Sequence, residues 1–168
     1  MPELEKQINA TECAYLGMLR EACDCFTTKA GIIALEIELD HGSPVLTTRN
    51  LGPRLSKICQ QTLQWLDRAK RFETSRLDST LKGVCEKLSA AVTDLNSNLL
   101  PVWDQRAKIS WFKIFFTEET YELAGGGRTL LEVWPGEIEQ IKRVLETFSA
   151  EVTRICSEFP WAKEIWEC

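Results

Sequence analysis

Leu77-Asp78-Ser79-Thr80-Leu81-Lys82-Gly83-Val84-Cys85-Glu86-Lys87-Leu88-Ser89-Ala90-Ala91-Val92-Thr93-Asp94-Leu95 is the stretch on which the fold turns. Its apolar members Leu77, Leu81, Val84, Leu88, Ala91 and Leu95 follow steps of 4, 3, 4, 3 and 4, which place them on one stripe of an α-helix. The spacing predicts a helix over 77–99. Thr74 or Ser75 is the expected cap, Asp78 completes a weak capping box after Ser75, and Asn96, Asn98 and Pro101 supply the stop.

The same period returns once on the C-terminal side of that stretch and twice before it. Ile138, Ile141, Leu145, Phe148, Val152 and Ile155 outline a helix over 135–157, with Pro135 suited to its first position, Glu137 and Glu139 at its positive end, and Phe159-Pro160 closing it. Leu55, Ile58, Cys59, Thr62, Leu66 and Ala69 outline another that follows Pro53, after a loop expected at 47–53. Leu4, Ile8, Tyr15, Leu19, Ala22 and Phe26 outline a first helix. Helices with these faces close a bundle better than an extended coiled coil, since heptad-flanking charges follow no obvious pattern. The expected fold is therefore all-α, a bundle of four to six helices in a single domain over 1–168.

Two stretches leave room for strand. Ile33, Leu35, Ile37 and Leu39 alternate with polar or small residues at the period of a half-buried strand, although Ala, Leu and Glu favour helix. Helix is the expectation, because no equally clear strand exists to pair with it. The apolar run 109–116 pairs with 129–134 in an alternative small hairpin within 106–134, turning through Gly125-Gly126-Gly127.

A chain of 168 residues buries roughly 70% of its unfolded surface, enough for a core without disulfide or metal staples. The seven cysteines are odd in number and scattered through helical patterns, which reads as free thiols in a reducing, intracellular compartment. No apolar run long enough to span a membrane occurs, and the start of the chain has no basic-then-apolar leader pattern. Asn9-Ala10-Thr11 matches a glycosylation acceptor by chance on this reading.

The net charge of −5 argues against a nucleic-acid binder acting through bulk electrostatics. Its distribution is uneven. Residues 49–87 carry nine Lys or Arg against four acids, whereas 117–168 carry five against eleven. Complementary packing of the two segments is the simplest account, and a basic surface meeting an acidic protein or anionic lipid is the alternative.

Familiar catalytic constellations fail on composition. His41 is the only histidine and sits in a Gly-Ser-Pro loop, which removes most triad and multi-histidine schemes. Cys23-Asp24-Cys25 with Cys13 and His41 offers four zinc ligands on paper, but residues two apart on a helix diverge, and buried small hydrophobes is the better reading. Gly125-Gly126-Gly127-Arg128-Thr129 lacks the lysine and the earlier glycine of a phosphate-binding loop. Glu118-Glu119 and the Glu137/Glu139 pair lack an apolar setting that would split their pKa values. No cofactor or metal is expected. A pocket of Trp111, Phe112, Phe115 and Trp134 is the one arrangement that suggests a small ligand or enzyme.

Six tryptophans exceed the usual share of a domain this size. Three aromatics and an isoleucine fall within 159–166, where Phe159, Trp161, Ile165 and Trp166 either cover the bundle or form a docking segment, 159–168, for a partner or a second copy. Arg68, Lys70 and Arg71 are the candidate contacts on the basic face.

The stripe Leu81, Cys85, Leu88, Leu95, followed by Lys108, Trp111, Ile138, Ile141 and Leu145, resembles the HeLo-like helical N-terminal domains of fungal NLR-like proteins over 77–157. The resemblance implies an interaction or signalling bundle of the kind that drives cell death or incompatibility, with a first helix able to attack membranes. Here that first helix carries Glu3, Glu5, Lys6, Glu12, Arg20, Glu21 and Asp24, which makes a membrane surface a poor second to protein as partner. A non-enzymatic helical protein-interaction module is the expected function.

Overall fold

The computed structural model describes residues 10–39, 44–74, 77–108 and 130–158. They form five helices, α1 (Ala10–Leu39), α2 (Pro44–Lys70), α3 (Val84–Asn98), α4 (Leu100–Ala107) and α5 (Leu130–Glu158), and no strand occurs among them. The all-α expectation is what the structure shows.

The four long helices close a ring in which α1 packs on α2, α2 on α3, α3 on α5 and α5 back on α1. Cross-links give the directions. Glu36 pairs with Arg54 and Lys29 with Gln61, so α1 and α2 run antiparallel. Glu38 pairs with Lys142 and Phe26 stacks on Phe148, so α1 and α5 do too. Short α4 continues α3 after a break at Leu99 and lies along α2.

Each helix contributes a stripe to one core. α1 buries Tyr15, Leu16, Leu19, Ala22, Cys23, Phe26, Ala30, Ile33 and Ile37, a pattern in which 15, 19, 22, 26, 30, 33 and 37 follow steps of three and four and keep one face inward. Leu55, Cys59, Leu66 and Ala69 of α2, Leu88, Val92 and Leu95 of α3, and Ile141, Phe148 and Ile155 of α5 meet them. Fully burying each large aliphatic or aromatic side chain stabilises by about 1.5–3 kcal/mol, so this stripe matching outweighs any local propensity.

Residues 30–39 are helix, as expected. Ile33 and Ile37 are buried while Leu35 is 54% exposed, a period of 3.6 and not of 2. Residues 130–134 supply no strand, since they begin α5; Thr129 and the other half of that hairpin, 109–116, lie outside the described residues.

Helix starts differ from expectation in three places. α3 begins at Val84 and not near Leu77, because Gly83 adopts φ 82, a left-handed conformation that glycine takes without a Cβ penalty. Asp78 accepts bonds from the Thr80 amide at 2.9 Å and hydroxyl at 2.5 Å, closing a turn in place of the expected capping box. Leu77 and Leu81 are buried all the same, and the Tyr15 hydroxyl donates to the Leu81 carbonyl at 2.8 Å, tying this connection to α1.

The 47–53 loop is helix instead: α2 starts at Pro44, and Pro53 lies inside it. Thr47, Thr48, Leu51 and Leu55 are buried on either side of Pro53, while Pro53 itself is exposed, so the ladder bond it removes falls on the solvent face. Gly52 packs beside Trp103, where an added Cβ would make an ordinary contact at 3.8 Å. Likewise α5 starts at Leu130, five residues before Pro135. Packing of the inward face overrides the turn signals in both.

Candidate functional site

Three polar features stand out from the apolar core. The first is a buried ion pair joining α4 to α5. Arg106, fully buried, clamps Glu137 through two bonds of 2.6 and 2.8 Å, and the Trp103 indole N–H donates to the same carboxylate at 3.0 Å. Trp134 lies 5.6 Å from the Trp103 ring, and the Arg106 guanidinium stands 5.9 Å from the Trp134 ring. Arg106 Nε has no hydrogen-bond partner among the described residues. Among the described residues the carboxylate is taken up by Arg106 and Trp103, so the set ties α4 to α5. Glu137, expected as a solvated first-turn acid, is instead the centre of this cluster. Arg106 follows Trp103 at helical spacing, the one sequence signal that marked it.

The second lies at the start of α3. Glu151 of α5 is nearly buried and receives Lys87 at 2.5 Å and Arg154 at 2.9 Å; Arg154 also reaches Glu158 and donates to the Thr80 carbonyl. Desolvation raises the Glu151 carboxyl pKa, but the bonds from Lys87 and Arg154 prevail and hold it below its ordinary value. A carboxylate depressed in the folded state adds stability above its unfolded value near 4.5, and that stability is lost as pH falls through the folded value. Glu151→Gln is therefore expected to lower stability at pH 7 by about 1.5–3 kcal/mol and to bring the variant and parent together near pH 3, read by urea unfolding at both pH values.

The third is a shallow cleft of about 470 Å³ on the outer face of α1 and α2. Its α1 rim presents Glu21, Asp24, Thr28 and Lys29, and its α2 rim presents Gln61, Gln64, Trp65 and Arg68. The Arg68 guanidinium sits 4.9 Å above the half-buried Trp65 ring. Beyond Thr28 the α1 rim continues through Ile32 and Leu35, 48% and 54% exposed, the large exposed hydrophobics among the described residues. Lys57 and Arg54 continue the α2 rim, with Arg54 paired to Glu36.

The three expected basic contacts lie in different places. Arg68 lies on this cleft, Lys70 bridges to Glu86 of α3 at 3.2 Å, and Arg71 pairs with Asp67 one turn back at 3.5 Å. Phe159, Trp161, Ile165 and Trp166 lie outside the described residues, as does His41. Of the suggested aromatic pocket only Trp134 is described, and it leans on Trp103. The basic 49–87 and acidic C-terminal segments meet through Lys87 and Glu151, whereas Arg54 and Lys70 find acids on α1 and α3.

Cys23, Cys59 and Cys85 are buried, and burial raises all three thiol pKa values, to about 12 at Cys59 and about 11 at Cys85. They sit in the core as protonated small hydrophobes. α1 runs unbroken through Cys23 and Cys25, so the two side chains diverge, and no group of three potential metal ligands occurs among the described residues. No described helix is long and apolar enough to cross a membrane. No protein-family model, no curated protein and no solved structure matches the chain.

Proposed function

We propose that the chain is a non-enzymatic helical module that works by docking protein on the α1–α2 face, within the interaction or signalling class expected from its sequence. The observation that carries this is the continuous rim of Ile32 and Leu35 beside the cleft of Trp65, Gln64 and Arg68. Large apolar side chains next to an aromatic and an arginine are the residue types that dominate binding energy at interfaces. Ile32 and Leu35 are the exposed large hydrophobics among the described residues.

A photo-reactive amino acid placed at Leu35 or Gln64, and at Glu146 on α5 as control, tests the reading in extracts of the native cells. Protein adducts are expected from the first two positions, absent from the control, and lost when Ile32→Asp is added. Equal labelling at all three positions overturns it. The same experiment on a chain lacking 159–168 tells this face from the aromatic tail, since adducts that vanish with the tail assign docking to Phe159, Trp161, Ile165 and Trp166.

A further inference from the structure

The α1–α2 face is charged in a self-complementary way, and we infer that its partner is a second copy of this chain. The inference rests on the docking reading above and names the occupant of that face. Glu21 and Asp24 on the α1 rim stand across the cleft from Arg68 on the α2 rim, at the same height along the antiparallel helix pair. That register follows from Lys29 meeting Gln61 and Glu36 meeting Arg54, two and four turns further along.

A two-fold axis running parallel to these helices sets α1 of each copy against α2 of the other without changing height. Arg68 of each copy then faces Glu21 and Asp24 of the other. Thr28 and Lys29 meet Gln61 and Gln64, and Ile32 and Leu35 lie along the aliphatic stem of Lys57, whose ammonium stays in water. A two-fold axis perpendicular to the helices instead stacks α1 on α1, bringing Glu21 against Leu35, and loses every charge match.

Arg68 has no carboxylate and Glu21 no cation within ion-pair distance among the described residues, so these two charges are available across the interface, whereas Asp24 already pairs with Arg20 one turn back at 3.5 Å and shares its carboxylate. The face spans about 20 Å from Glu21 to Leu35 and about 20 Å across two helices. That is about 400 Å² in projection per copy, about 800 Å² in total and below the range of stable specific interfaces, so the dimer is a weak, transient one.

Sedimentation equilibrium of the full chain from about 1 to 100 µM reads the mass directly. A rise from the 19.2 kDa monomer toward twice that value is expected. Arg68→Glu alone, and Glu21→Lys with Asp24→Lys alone, are each expected to weaken the homodimer at least tenfold, because like charges then oppose across the axis. Mixing the two variants is expected to restore a dimer, since each then meets its opposite at both contacts. All three replacements fall on exposed side chains, and matching circular dichroism and thermal midpoints confirm folded variants.

A monomer throughout the concentration range overturns the inference. So does a dimer that both variants keep, or one that mixing fails to restore. If the chain is monomeric while site-specific adducts to other proteins persist at Leu35 and Gln64, self-association fails and the docking reading stands. If neither is found, both fail.

Discussion

Glu137→Ala is expected to lower the unfolding free energy by about 3–5 kcal/mol, because it leaves the fully buried Arg106 guanidinium without its counter-charge. For a chain of this size the thermal midpoint falls by about 10 °C. The Trp103 indole N–H loses its acceptor in the same step. The sign of the effect depends on removing one partner only. Arg106→Met combined with Glu137→Leu takes both charges out of the core, and the pair is expected to recover most of the lost stability, leaving chiefly the unpaired indole at about 1–3 kcal/mol. Calorimetric midpoints of the single and double variants decide it. Equal destabilisation by both overturns the view that uncompensated charge dominates at this site.

Phe148→Ala is expected to cost about 3–5 kcal/mol by opening a cavity where α5 crosses α1. Phe148 and Phe26 are both fully buried, with ring centroids 4.7 Å apart and planes within 15°, so the substitution removes a stacked contact as well as transfer energy. Phe148→Leu keeps most of the volume and is expected to cost less than half as much. Guanidinium unfolding at constant slope gives both values. A loss below about 1 kcal/mol for the alanine variant would mean that α1 and α5 close the gap by moving together.

Self-association and the acid response of Glu151 bear on different parts of the molecule. The first uses exposed rim residues of α1 and α2, and the second the connection into α3. Glu151 is thus a structural clamp whose loss at low pH loosens the α3–α5 corner, while Arg68, Glu21 and Asp24 are replaceable without touching the core. Separate variants therefore tell loss of fold from loss of docking.

Much of the helical architecture was legible because an amphipathic stripe is a local pattern. Leu88, Ala91 and Leu95, or Ile141, Leu145, Phe148 and Ile155, declare a helix and its inward face within one segment. Gly83 was harder to read: the stripe runs straight through it, and only its left-handed conformation reveals that the helix starts there. Pro53 and Pro135 misled in the opposite direction. Each carries a strong local signal for a boundary, yet the buried neighbours Thr48, Leu51 and Leu55 around one, and Glu137 and Ile141 after the other, keep the helix continuous.

The candidate site was less legible, for a physical reason. Arg68, Lys70 and Arg71 look alike as a basic cluster, but helical geometry sends them in different directions, so one caps Trp65, one bridges to Glu86 and one folds back on Asp67. Ile32 and Leu35 look like core residues until the burial of Ile33 and Ile37 shows which face is inward. Periodicity along one chain segment thus determined that these residues form helices and which side chains are apolar. The choice of which charges are clamped inside, as Arg106 and Glu137 are, and which apolar side chains stay exposed, as Ile32 and Leu35 do, belonged to the tertiary structure, because both depend on residues far apart in sequence arriving at the same place.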